Sequence, residues 1–192
     1  MSDAPLILGL DTSAAHCAAA VVQGDRVLAS TGEEMARGQA ERLMDLLQEL
    51  LNGQGHVWGD LSALAVGTGP GNFTGIRIGV SAARGLALGL GIPAYGVTGF
   101  EARARLAPNG ATVAIPAPRD MAYVTGDAGP ALVPMADVAR PAPAPTPAAL
   151  AEAIAGQAAA LWPTPPAAPP APFYVRAPDA APARDRAPTL LP

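Results

Sequence analysis

The sequence predicts an α/β fold in which helices pack on a mixed sheet. Short apolar runs read as strands, two long segments repeat their apolar or small residues every three or four positions, and a glycine-rich stretch joins a buried strand to a helix. The chain has 192 residues and 19.2 kDa, enough to bury a real core. Half of it is hydrophobic, but 44 positions are Ala and only 4% are aromatic, so large core anchors are few.

Leu6-Ile7-Leu8-Gly9-Leu10 is the first predicted strand, ended by Asp11-Thr12-Ser13. Residues 17–22 and 26–30 form two more around the turn Gln23-Gly24-Asp25, which makes an antiparallel meander. Residues 35–51 read as a helix with Leu43, Leu46, Leu47, Leu50 and Leu51 on one stripe, stopped by Asn52-Gly53. Leu64-Ala65-Val66 is a buried strand, 74–90 a helix and 92–97 a strand. Thr98 to Glu101 has the spacing of a capping box for a further helix. The order βββαβαβα places five strands in a mixed sheet with crossover helices.

The grammar changes near residue 100. Residues 1–100 hold 17 of 21 Gly and 3 of 22 Pro, and residues 101–192 hold the rest. We therefore expect domains at 1–100 and 101–176, the second smaller and degenerate, with a tail at 177–192. Short strands are expected at 112–115, 122–125 and 131–135, and an Ala-rich helix at 150–161. Pro141 to Pro147 and Pro163 to Pro172 read as proline linkers, and Phe173 to Arg176 as a short strand or docking segment.

Several chemistries are excluded. All 12 basic residues are Arg, so a lysine Schiff base or P-loop lysine is ruled out. Net charge is -4, which argues against a basic nucleic-acid face. Cys17 is the one cysteine, so no internal disulfide or CxxC zinc site exists, and it reads as a core thiol. His16 is adjacent to Cys17, but neighbouring strand residues face opposite ways and make no dyad. With His16 and His56 far apart, no metal site is expected. No signal peptide or membrane span is visible, so a cytoplasmic protein is expected.

The most distinctive segment is Gly67-Thr68-Gly69-Pro70-Gly71-Asn72-Phe73-Thr74-Gly75-Ile76-Arg77-Ile78-Gly79. Such a loop can offer backbone N–H groups to an anion, with Asp11, Thr12, Ser13, Gly69 and Gly71 as the candidate nucleotide or anion site. It can equally serve only as a tight turn that lets helix and sheet pack closely. Asp11-Thr12-Ser13 likewise reads either as phosphate chemistry or as turn chemistry. Small residues recur at Gly75, Gly79 and Ala83, and again at Gly85 and Gly89. A smooth helix face suits close packing inside the fold or a helix of a second subunit. Beside the leucine stripe it would make a dimer face.

These segments, with Leu8-Gly9-Leu10-Asp11-Thr12-Ser13 and Gly85-Leu86-Ala87, resemble the TsaB (YeaZ) family of bacterial tRNA-modification subunits. Tyr174-Val175-Arg176-Ala177-Pro178-Asp179-Ala180 is similar to the family's terminal segment. The resemblance implies an actin-like (ASKHA, ribonuclease H-like) lobe and a noncatalytic scaffold. Its expected partner is a TsaD-like transferase that places threonylcarbamoyl on N6 of tRNA adenosine 37. A TsaE-like ATPase joins them, homodimers form through the same face, and tRNA is met only through the complex. No intrinsic cofactor is implied; ATP or ADP would sit at the partner interface. TsaD holds its metal with an HxxxH pair, whereas the matching stretch here, Gly38-Gln39-Ala40-Glu41-Arg42, has no histidine. Asn72 replaces the family's usual Ser. The interface is expected at Arg37, Leu43, Leu47, Gly75, Arg77, Gly79 and Ala83, and Gly79→Leu is expected to block binding without unfolding. The rival reading is a small ATPase or kinase-like enzyme of the same fold, acting through Asp11 and the glycine loop.

Overall fold

The computed structural model describes residues 4–175. The 177–192 tail and the Arg176–Ala180 part of the terminal resemblance lie outside the described residues.

The main sheet has β1 (Leu6–Asp11), β2 (His16–Gln23), β3 (Arg26–Glu34), β4 (Ala63–Gly67) and β5 (Ala94–Val97), in spatial order β3-β2-β1-β4-β5. β1, β2 and β3 pair antiparallel, while β4 runs parallel to β1 and β5 parallel to β4. This is the expected mixed five-stranded sheet. The β2–β3 turn pivots on Gly24, whose φ of 61° a glycine adopts without strain.

β1 is buried along its whole length because both of its faces are covered. Leu6, Leu8 and Leu10 point into one core with α1 (Gln39–Gly53) and α2 (Phe73–Leu90). Ile7 points the other way, into a second core with α3 (Gly99–Ala104) and α4 (Pro147–Leu161). The molecule is thus a helix–sheet–helix sandwich built on the strand's period of two. Thr98 caps α3 in the expected box: its Oγ1 accepts from Glu101 N, and Thr98 N donates to the Glu101 carboxylate.

Two expectations change. The helix expected from Met35 begins at Gln39, because β3 continues to Glu34 and Gly38 sits at φ 90°, outside helical geometry. The division at residue 100 also differs from the packing. Leu150, Ile154, Ala155 and Ala158 of α4 share one core with Ile7, Val22, Ala65, Tyr95 and Val97 of the first sheet. The Ala-rich helix can do this because it lies against small residues. A Cβ on Gly9 would stand 2.8 Å from Ala155 Cβ, and Ala18 and Ala20 pack directly against Ala151. Alanine here trades side-chain bulk for close helix–sheet approach, which keeps packing density high without large residues.

Between these parts, β6 (Ile115–Ala117), β7 (Met121–Gly126) and β8 (Gly129–Pro134) form a separate antiparallel sheet. β6 begins three residues later than expected; Thr112 makes only an isolated bridge, to Pro141. The β6–β7 turn carries Arg119 and Asp120 at positive φ, as a tight hairpin turn requires. Phe173 to Val175 docks without forming a strand. Phe173 N donates to Thr68 O at 2.8 Å, and its ring packs edge-on against Phe100.

Cys17 is completely buried, as expected of a core thiol, and burial pushes its pKa up to about 11. At pH 8 only about one chain in a thousand would carry the reactive thiolate. A thiol-reactive disulfide dye should leave the native chain unlabelled over an hour and label it completely in denaturant. Rapid native labelling would show that this core opens.

Candidate functional site

β1 and β4 end side by side, and their ends meet the start of α2. Asp11, Thr12 and Ser13 are all buried there. Thr12 Oγ1 donates to Gly75 O at 2.7 Å, and Asn72 N donates to Ser13 O at 2.7 Å. Asn72 Oδ1 accepts from Gly75 N at 2.9 Å and caps α2.

The structure brings Asp11, Thr12, Ser13 and Gly71 together, whereas Gly69 turns toward Ile76 and Phe173; Asp11 and Thr12 are buried, while Ser13 and Gly71 line a cleft. A Cβ on Gly71 would strike Ser13 O, and one on Gly75 would strike Thr12 O. The backbone just after β1, at Thr12 and Ser13, runs close against Gly71 and Gly75 at the start of α2. The glycines make that close approach, which is the packing alternative of the two readings.

His16, whose role the sequence left dark, completes this corner. The short β1–β2 loop returns it beside Asp11, and its Nε2 donates to Asp11 Oδ2 at 2.7 Å. Ser13 Oγ donates to the same oxygen at 2.9 Å. Both donors fall on one oxygen of this buried carboxylate. The hairpin spacing from Asp11 to His16 was the available signal. His16 faces a cleft of about 800 Å³ between the two sheets, while Cys17 faces the core.

Of the expected interface residues, five are internal. Leu43 and Leu47 face the sheet and are buried. Gly75 and Gly79 lie against Thr12, and Ala83 is buried among the same core residues. The correction has one cause: the leucine stripe and the first small-residue set are the faces with which α1 and α2 cover the sheet. Arg37 is exposed in the turn before α1 rather than on the helix. Arg77 is exposed on α2, with its guanidinium 3.8 Å from the centre of the Phe73 ring and its Nε donating to Tyr174 Oη. Tyr174 stacks on Phe73 at 5.0 Å.

The outer face of α2 belongs to the second small-residue set. Leu88 is 87% exposed, and nothing lies within 4 Å of a Cβ built on Gly85 or Gly89. On α1, Met44 is 42% exposed. The α1 stretch that matches the metal-binding helix is taken up differently. Gln39 is buried, and Arg42 pairs with Glu33 at 2.6 Å and Glu49 at 2.7 Å, holding both carboxyls below their usual range. Among the described residues, no three His, Cys, Asp or Glu side chains are grouped to hold a metal, and no helix is long and apolar enough to cross a membrane.

Residues 18–131, more than half of the chain, match the family described as TsaD: tRNA N6-adenosine threonylcarbamoyltransferase. The chain is 39% identical over 108 residues to the tRNA threonylcarbamoyladenosine biosynthesis protein TsaB of Escherichia coli (strain K12), covering 55% of this chain and 46% of that one. It belongs to the TsaB/YeaZ family. The TsaB of Haemophilus influenzae is 34% identical over 102 residues, covering 53% of this chain and 42% of that one. The chain therefore spans a little under half the length of the curated TsaB relatives it matches. A Pseudomonas aeruginosa crystal structure, described as an uncharacterized protein with similarity to peptidase YEAZ, superposes with a TM-score of 0.72 at 28% identity. That match covers 90% of this chain and 100% of the other. The mixed five-stranded sheet expected of the family is the sheet observed here.

Proposed function

We propose that this chain is a noncatalytic subunit that binds and supports a TsaD-like threonylcarbamoyltransferase in t6A modification of tRNA adenosine 37. The relatives named for threonylcarbamoyladenosine biosynthesis support this reading. The observation that carries it is the outer face of α2, where Leu88 stands 87% exposed between glycines that leave room for another helix. The contact set is accordingly Leu88, Gly85, Gly89 and Arg84 of α2 with Met44 of α1, joined by Arg77 from the original set. A TsaE-like ATPase joins through the assembled pair, and two copies of this chain can meet through the same face. ATP or ADP, where bound, belongs to that partner interface. Asp11 is buried and engaged by His16 and Ser13, which weighs against its use on a phosphate in the rival ATPase reading.

The test is to mix the purified chain with a TsaD-like protein and measure mass by size exclusion with light scattering. A stable heterodimer whose TsaB-like component alone does not hydrolyse ATP is the expected result. Absence of association, or ATP turnover by this chain alone, would overturn the proposal.

A further inference from the structure

The cleft between the two sheets holds a charge that the scaffold role does not use. Arg103, on α3, lines it and is half-buried. Among the described residues no carboxylate lies within salt-bridge distance of Arg103. Among the described residues the guanidinium makes one hydrogen bond, a long one, from Nη1 to Gly99 O at 3.4 Å. Gly99 leaves the guanidinium room: a Cβ there would stand 3.0 Å from Nη1. A guanidinium has five donors in a fixed fork, and withdrawing it from water without an anionic partner is costly. Burial lowers the Arg103 pKa, while Asp11 opposes that shift.

The rest of the cleft divides by chemistry. Ser13, His16 and Asn72 give it a polar floor near Arg103. Pro116, Pro118, Pro141, Pro145, Tyr123 and Met135 give it an apolar wall. Proline walls are rigid before anything binds, which lowers the entropy cost of binding. Two carboxylates limit the charge that fits. Asp11 is already engaged by His16 and Ser13, and Glu34 is exposed at the rim. Both repel a polyanion.

We propose that this cleft binds a small organic monoanion, with its carboxylate-like head on Arg103 and its apolar body on the proline wall. Arg103 is far in role from the α2 outer face, so this inference and the partner reading stand or fall separately.

The experiment is calorimetric titration of the full chain with phenylacetate, with acetate, benzyl alcohol and pyrophosphate as comparisons. Phenylacetate should bind, and each of the other three should bind at least about tenfold more weakly. Arg103→Gln should weaken phenylacetate about tenfold or more, and Arg103→Lys should restore part of the loss. Ala144→Glu, at an exposed cleft-lining position, should also abolish binding by like-charge repulsion, and it leaves Arg103 in place should Arg103→Gln fail to fold. No phenylacetate binding at millimolar concentration would overturn the proposal. So would equal binding by the wild-type chain and the folded variants. Association with the TsaD-like protein, measured in parallel, should be unchanged in every folded variant.

Discussion

Gly79→Leu unfolds the chain or removes most of its stability, rather than leaving a folded monomer that fails to bind. Even the first added carbon would stand 2.7 Å from Thr12 Oγ1, 3.4 Å from Val66 Cγ2 and 3.5 Å from Leu10 Cδ1. Those neighbours belong to β1, the loop after it and β4, all buried between two layers of helices, so none can step aside into solvent. Overpacking of this kind costs about 1–3 kcal/mol, occasionally more. Displacing Thr12 also breaks its 2.7 Å bond to Gly75 O and strands the buried hydroxyl, for about 1–3 kcal/mol more. The sum, about 2–6 kcal/mol, reaches the lower end of the about 5–15 kcal/mol that holds a domain folded. Gly85→Ala is the matched control. It lies in the same helix with nothing within 4 Å, and it should stabilise by about 0.5–1 kcal/mol through helix propensity alone. Urea denaturation of the two variants decides the matter. A Gly79→Leu chain within about 1 kcal/mol of wild type would mean that α2 does not pack as described.

Leu88→Glu should have the converse outcome: a folded chain that has lost its partner. Leu88 buries almost nothing within the chain, so its replacement forfeits almost no internal packing. Glutamate is a good helix former, and its charge near the C-terminal end of α2 costs only about 0.3–1 kcal/mol through the helix dipole. At the centre of a desolvated interface, the lost apolar anchor and the buried unpaired charge together cost about 2 kcal/mol or more, close to a thirtyfold loss of affinity. Light scattering of the mixture with the TsaD-like protein should then show two separate species at concentrations where the wild type is one complex. An undiminished complex would move the interface off this face, with the exposed Arg37 turn as the next place to look.

The arrangement of strands and helices was legible because local rules and the global fold agree here. The apolar run of β1, the leucine period of α1, the Thr98 cap and the glycine loop each depend on residues within a turn or two of one another. The TsaB/YeaZ motifs lie in that same local stretch. Which side of a helix faces inward is another kind of question. Gly75, Gly79 and Ala83 have the same spacing and size as an interface stripe, and spacing by four does not say whether a sheet or a second molecule lies opposite. The sheet took that face because Thr12 and Ser13 run directly across the start of α2. Gly85 and Gly89, carried further along the helix, were left outside.

The long-range contacts were invisible for a related reason. A helix as uniformly apolar and small as α4 shows no strong side, so nothing in its own pattern says that Ala155 will lie on Gly9. The cleft is assembled in the same way, from Ser13 and His16, then Arg103, then prolines after residue 115. Hydrogen bonding and apolar period act between near neighbours, so the elements and the family motifs can be read along the chain. Which small residues are core, which leucine is free and which arginine lines the cleft depend on what the folded chain brings opposite each side chain.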